Sequence, residues 1–230
     1  MHAGLVPGVP AALVRGAAER FDRVRDVTVG ILFRDRDISY GSAIDMVAAT
    51  ALPSTIFENG NWRQAPLTAT RSIDFGDPYG ACACYPLNLP ELTALSERLR
   101  FERAGAYAAG LNPRANAIAA VWFLLKLARI PSAARLGARL FMRAAQRTPP
   151  PLGVVVVVEL SGERAGQEQQ IRQVLRHTDG YIATAIPAVS CIFQVLDGTI
   201  STGLGMMGHV VDFDRLFRDM QRLGMAVRPH

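Results

Sequence analysis

Val154–Arg176, VVVVVELSGERAGQEQQIRQVLR, decides the fold of this chain. Five consecutive valines are β-branched and apolar without alternation, the pattern of a strand buried on both faces. Gly162 to Gly166 then turns the chain. Gln167 to Arg176 admits two readings. Ile171, Val174 and Leu175 sit at helical spacing among good helix formers, whereas the hairpin-like turn before them favours a strand folded back onto the valines. We read a strand, with tertiary pairing overriding local propensity.

Working outward, Pro10 can open a helix running to about Phe21, with Leu13, Ala17 and Phe21 on one face. Asp26 to Phe33 reads as a strand. Ser39 is placed to cap a helix through Thr50. Thr55 to Arg63 reads as a hairpin around Asn59-Gly60, the strongest short-range turn signal in the chain. Thr70 to Phe75 and Gly80 to Pro86 give short strands either side of Asp77-Pro78, Leu89-Pro90-Glu91 starts a short helix, and Glu102 to Leu111 is another strand. Pro113 to Ile130 and Ser132 to Arg147 form a helical pair divided by Pro131. These elements make an α+β fold: a mixed, largely antiparallel sheet of about six or seven strands, with helices packed on one face and a helical pair. The 230 residues read as a single domain with no linker-like segment.

Half of the residues are hydrophobic and the net charge is +5, carried almost wholly by arginine, since Lys126 is the only lysine. Such a chain folds rather than staying disordered. Arg135, Arg139, Arg143 and Arg147 recur by four and stripe one helix face. No aromatic stacking platform accompanies them, so the stripe does not point to nucleic acid; it suits a carboxylate or phosphate on a substrate, or a partner subunit. Cys82, Cys84 and Cys191 make neither a zinc site nor an evident bridge and read as small apolar residues in a reducing cytoplasm. No signal peptide is visible. The run Ala115 to Leu127 is too short to span a bilayer and reads as a buried or interfacial helix.

The C-terminal quarter holds the most distinctive polar chemistry. Gly203, Gly205 and Gly208 match the letters of G-x-G-x-x-G, but no second strand with an acidic end follows, so the passage reads as a loop. HTDGYIATAIPA, LDGTIST and GLGMMGHVVDFDRLFRDMQRLGM resemble the C-terminal end of saccharopine dehydrogenase-like oxidoreductases. His2 to Pro10 resembles the segment after that family's nucleotide-binding domain, and FGDPYGACACYPLNLPE resembles its middle. The resemblance implies a substrate-binding and dimerisation domain, and it supports the strand reading of Gln167 to Arg176. The family's Rossmann domain has no counterpart here, and Met1 stands about where that domain would end.

Several residues could carry chemistry. His209, after the glycine-methionine run, suits acid–base work near neutral pH, or a hydrogen bond within a loop. His177, Asp179 and Tyr181 could position a substrate or shuttle a proton; equally, Asp179 could simply cap the helix Ile182–Leu196. Glu159 among valines is either a perturbed carboxyl or an ion-pair partner for an arginine. Trp62, Tyr79 and Tyr85, with the soft Met206-Met207 pair, could line an apolar pocket. The pattern contains no metal-ligand cluster and calls for no cofactor.

Two functions follow as expectations. One is a cofactor-independent isomerase, cyclase or lyase moving protons on a small, partly apolar metabolite, as a cytoplasmic homodimer. The other is the substrate-binding half of a split oxidoreductase whose NAD(P)-binding Rossmann domain is a separate subunit. The first expects Leu5, Val6 and Val9 to be buried; the second expects them to form an exposed apolar patch.

Overall fold

The computed structural model describes residues 3–66, 68–201 and 203–229. Its centre is β1 (Arg23–Arg34), parallel to β6 (Arg103–Ala109) on one side and antiparallel to β7 (Gly153–Arg164) on the other. β7 turns through Ala165 and Gly166, both at positive φ, into β8 (Gln167–His177). β9 (Ala226–Pro229) pairs with the outer side of β8. Beyond β6 lie the hairpin β2 (Thr55–Glu58) and β3 (Asn61–Gln64), and β5 (Ala81–Leu87) with its partner β4 (Arg71–Asp74). Among the described residues this is one nine-stranded sheet, mixed and mostly antiparallel.

The strand reading of Gln167–Arg176 holds along the whole ladder, from Val154 opposite His177 to Arg164 opposite Gln167. Its helix-like spacing comes from burial on both faces. Ile171 and Leu175 join the core on one side of the sheet, and Val174 joins the core on the other. The valines of β7 divide the same way, with 154, 156 and 158 on one side and 155 and 157 on the other.

One face is covered by α1 (Val9–Ala18), α3 (Pro90–Leu99), α6 (Gly180–Leu196), the single turn α7 (Met207–Val210) and α8 (Phe213–Arg222). Across the other face folds β4, so close that a Cβ on Gly30 would lie 2.9 Å from the Ile73 side chain. A separate core, around Val47, Trp122 and Phe141, joins α2 (Tyr40–Ala49), α4 (Pro113–Leu124) and α5 (Pro131–Ala145). Leu5 and Val9 are buried in the helix-side core, with Val6 packed partly against it.

Some details differ from the sequence reading. The sheet has nine strands rather than six or seven, β9 being unforeseen. The helix expected to reach Ile130 stops at Leu124, because Lys126 adopts a left-handed φ of 52° before a short 3-10 turn at Leu127–Arg129. The glycine-rich passage is a loop only as far as Met206, after which Met207–Val210 closes one helical turn.

Candidate functional site

α1 begins with no side chain of its own capping its first-turn N–H groups, a vacancy that attracts negative charge. The Glu91 side chain, from the first turn of α3, occupies that end. Glu91 is 1% exposed, and both carboxyl oxygens are buried without a hydrogen bond of normal geometry. Burial drives its pKa upward. The N–H groups of Gly8 and Ala11, facing it more loosely than a full hydrogen bond, offset only part of that, and the carboxyl titrates at about 7.

His209 meets the backbone of the same residue. Its Nε2 lies 2.9 Å from the Glu91 backbone oxygen; a carbonyl only accepts, so Nε2 carries the proton. Arg15 on α1 holds the same turn by donating to the carbonyls of His209 and Val211. Burial first, and the nearby Arg98 second, lower the Arg15 pKa. α7 is seated directly on α1, with Met207 fully buried. A Cβ on Gly208 would lie 2.4 Å from the Gly8 carbonyl oxygen, so only glycine allows this approach. Three segments far apart in sequence thus meet through backbone contacts: His209 bonds the Glu91 backbone carbonyl, Arg15 bonds the backbone carbonyls of His209 and Val211, and the Glu91 carboxyl faces the start of α1.

The HTDGY residues form a different construction. Asp179 caps α6, its Oδ1 accepting from the N–H of Tyr181 at 2.8 Å and of Ile182 at 2.9 Å. His177 Nδ1 accepts from the Asp179 N–H at 2.9 Å. The Tyr181 phenol oxygen accepts from the Ser39 N–H at 2.6 Å, which ties α6 to the cap of α2. Burial acts to raise the Tyr181 pKa, but the Ser39 contacts outweigh it and the net shift is downward. This trio shares no hydrogen-bond partner with the Glu91–His209 pair; its visible work is capping.

Glu159 takes the ion-pair alternative. It faces Thr28 and Arg172 on the sheet side away from the covering helices, with the Arg172 Nε 3.7 Å away. The aromatic pocket does not assemble. Trp62 donates to Ser96 Oγ at 3.0 Å and packs on Phe57 at the helix-side core. Tyr79 belongs to the opposite core, its hydroxyl donating to the Leu152 carbonyl at 2.8 Å. Tyr85 is exposed, Met206 is half-buried ahead of α7, and Met207 is core.

Cys82, Cys84 and Cys191 are free thiols, and burial pushes Cys84 up to about 11. Among the described residues no group of three or more His, Cys, Asp or Glu is placed to hold a metal, and no helix is long and apolar enough to cross a membrane. Glu91 is the residue that sequence reasoning passed over. An acidic residue in a first helical turn reads as solvent-facing, and only the tertiary seat of α1 shows otherwise. A scan of protein-family models finds none that matches this chain, and a search of curated proteins finds no match either.

Proposed function

We propose that this chain is a cofactor-independent proton-transfer enzyme, an isomerase, cyclase or lyase acting on a small, partly apolar metabolite. The observation that supports it is the buried Glu91 carboxyl, on a residue whose backbone carbonyl holds the His209 ring. A carboxyl that titrates near 7 both takes and gives a proton at physiological pH, and the imidazole bonded to its backbone is a second group suited to that work. Because Glu91 is only 1% exposed, a substrate reaches its carboxyl only after the packing around it opens. The burial of Leu5 and Val9 favours a domain that closes its own surface where a nucleotide-binding domain would join. The test is incubation of the protein with a metabolite extract in deuterated water, followed by mass spectrometry. One metabolite should gain deuterium or convert to an isomer, and Glu91→Gln and His209→Ala should each slow this by about tenfold or more. Conversion unchanged in both variants, or no converted metabolite, overturns the assignment.

A second reading is favoured by α6. Ile182, Ile192, Phe193 and Leu196 lie exposed along one side of this uncharged helix, a surface that fits a homodimer or a separate Rossmann subunit. Native mass spectrometry of the protein from its source separates them. A homodimer without nucleotide agrees with the enzyme reading; a stoichiometric second polypeptide carrying NAD(P) makes the chain the substrate-binding half of a split oxidoreductase.

A further inference from the structure

The net charge of the chain is unevenly placed. Between Glu102 and Glu159 the sequence contains no acidic residue, yet it holds Arg103, Arg114, Lys126, Arg129, Arg135, Arg139, Arg143 and Arg147. All but Arg103 lie on or beside the α4–α5 arm. The arm packs inward through Trp122, whose Nε1 donates to the Ala133 carbonyl at 2.9 Å, and through Ala138, Phe141 and Ala145.

The outward surface is both basic and apolar. On α5, Arg135, Leu136, Arg139 and Arg143 are exposed, and at 3.6 residues per turn they fall within about a third of the helix circumference. Among the described residues none of these arginines, nor Arg129, Arg147 or Lys126, forms a salt bridge. On α4 the exposed side carries Ala117, Ala120, Val121 and Leu124. Where the helices join, Leu124, Leu125 and Ile130 are 62%, 65% and 52% exposed, interleaved with Lys126 and Arg129. Water-exposed aliphatic side chains among unpaired cations, on short rigid helices, are what an interfacial membrane anchor presents. The cations meet anionic headgroups while the aliphatic tip enters the acyl boundary. A nucleic acid would use the arginines and leave Leu124, Leu125 and Ile130 in water.

We infer that the α4–α5 arm docks this protein on an anionic lipid surface, lying on the membrane with the Leu124–Ile130 tip inserted. This is independent of the proton-transfer reading, since the arm has its own core and the neighbours of Glu91, Leu89 and Leu92, belong to another.

The experiment is vesicle co-sedimentation of the full chain at about 0.1 M salt, where screening is effective beyond roughly 10 Å. Vesicles of phosphatidylcholine alone are compared with vesicles containing phosphatidylglycerol. The protein should partition onto the anionic vesicles at least about tenfold more strongly. At about fivefold per basic residue, Arg135→Glu, Arg139→Glu and Arg143→Glu together should abolish detectable binding. Leu124→Ser with Leu125→Ser, which keep every charge, should weaken it by about fivefold or more. All five positions are exposed, so circular dichroism should show each variant folded. Equal partition onto both vesicle types, no partition onto either, or binding indifferent to the leucines overturns the inference. So does duplex DNA held by the same arginines in preference to vesicles.

Discussion

His209 Nε2 reaches the backbone carbonyl of Glu91 at 2.9 Å across 118 residues of sequence. The bond fixes the imidazole tautomer and pins α7 to the first turn of α3, the turn that carries the buried Glu91 carboxyl. It therefore couples α7 to the segment that carries that carboxyl.

The carboxyl gives the fold a pH signature. Folded Glu91 releases its proton near 7, and the unfolded group near 4.5. Between those values the folded state holds more protons, so stability falls as pH rises. The favourable contribution is complete below about pH 4.5 and lost above about pH 7. Glu91→Gln removes the titration. Relative to this variant, the native chain should lose on the order of 3 kcal/mol between acid and alkaline conditions. Urea midpoints of both proteins at about pH 5 and pH 8 check this, and a constant difference between the two proteins contradicts it.

Asp179 is the cap of a 17-residue helix. Asp179→Ala should lower stability by about 1 kcal/mol, and Asp179→Asn by clearly less, because an amide oxygen still accepts from the helix N–H groups. Chemical denaturation of the pair measures it. Equal losses would mean that the carboxylate charge, rather than the hydrogen bonds, does the work.

Gln194 is fully buried and clasps the start of α8, accepting from the Asp212 N–H at 2.8 Å and donating to the Asp212 carbonyl at 3.1 Å. Gln194→Leu keeps the volume and removes both bonds, costing about 2 kcal/mol. Amide exchange at Asp212 should quicken in step. Unchanged protection there would show that the clasp does not hold α8.

Gly208→Ala puts a methyl against the Gly8 backbone oxygen. Because backbone cannot swing aside, α7 should move off α1 at a cost of about 1–3 kcal/mol, and the His209–Glu91 bond should break. Thermal unfolding and the His209 ring-proton signal report the two effects. A variant as stable as the native chain would mean that α7 does not approach α1 closely enough to exclude a methyl group at position 208.

Local chemistry in this sequence translated directly into local structure. Ser39, Asp179 and Asp212 all cap helices through their side chains, and Asn59-Gly60 turns its hairpin at positive φ. The valine run is central because β-branched residues without alternation need cover on both sides. What the sequence could not express was contact between distant segments. Lys126 breaks its helix for no reason visible in a good helix-forming neighbourhood. Nothing around Glu91 announces that the open end of α1 will land on it. His177, Asp179 and Tyr181 stand together in both sequence and space, but as a cap; the pairing of His209 with Glu91 exists in space alone.

The main path of the sheet ends on four-residue strands at both sides, β3 with its exposed Arg63 and Gln64, and β9 closing on Pro229. Short, polar or proline-bearing margins are poor templates for recruiting another strand. Those two margins, among the described residues, are thus insulated against ladder extension, the route that leads to fibres. Any larger assembly the molecule joins is expected to be built from helix surfaces rather than from added strands.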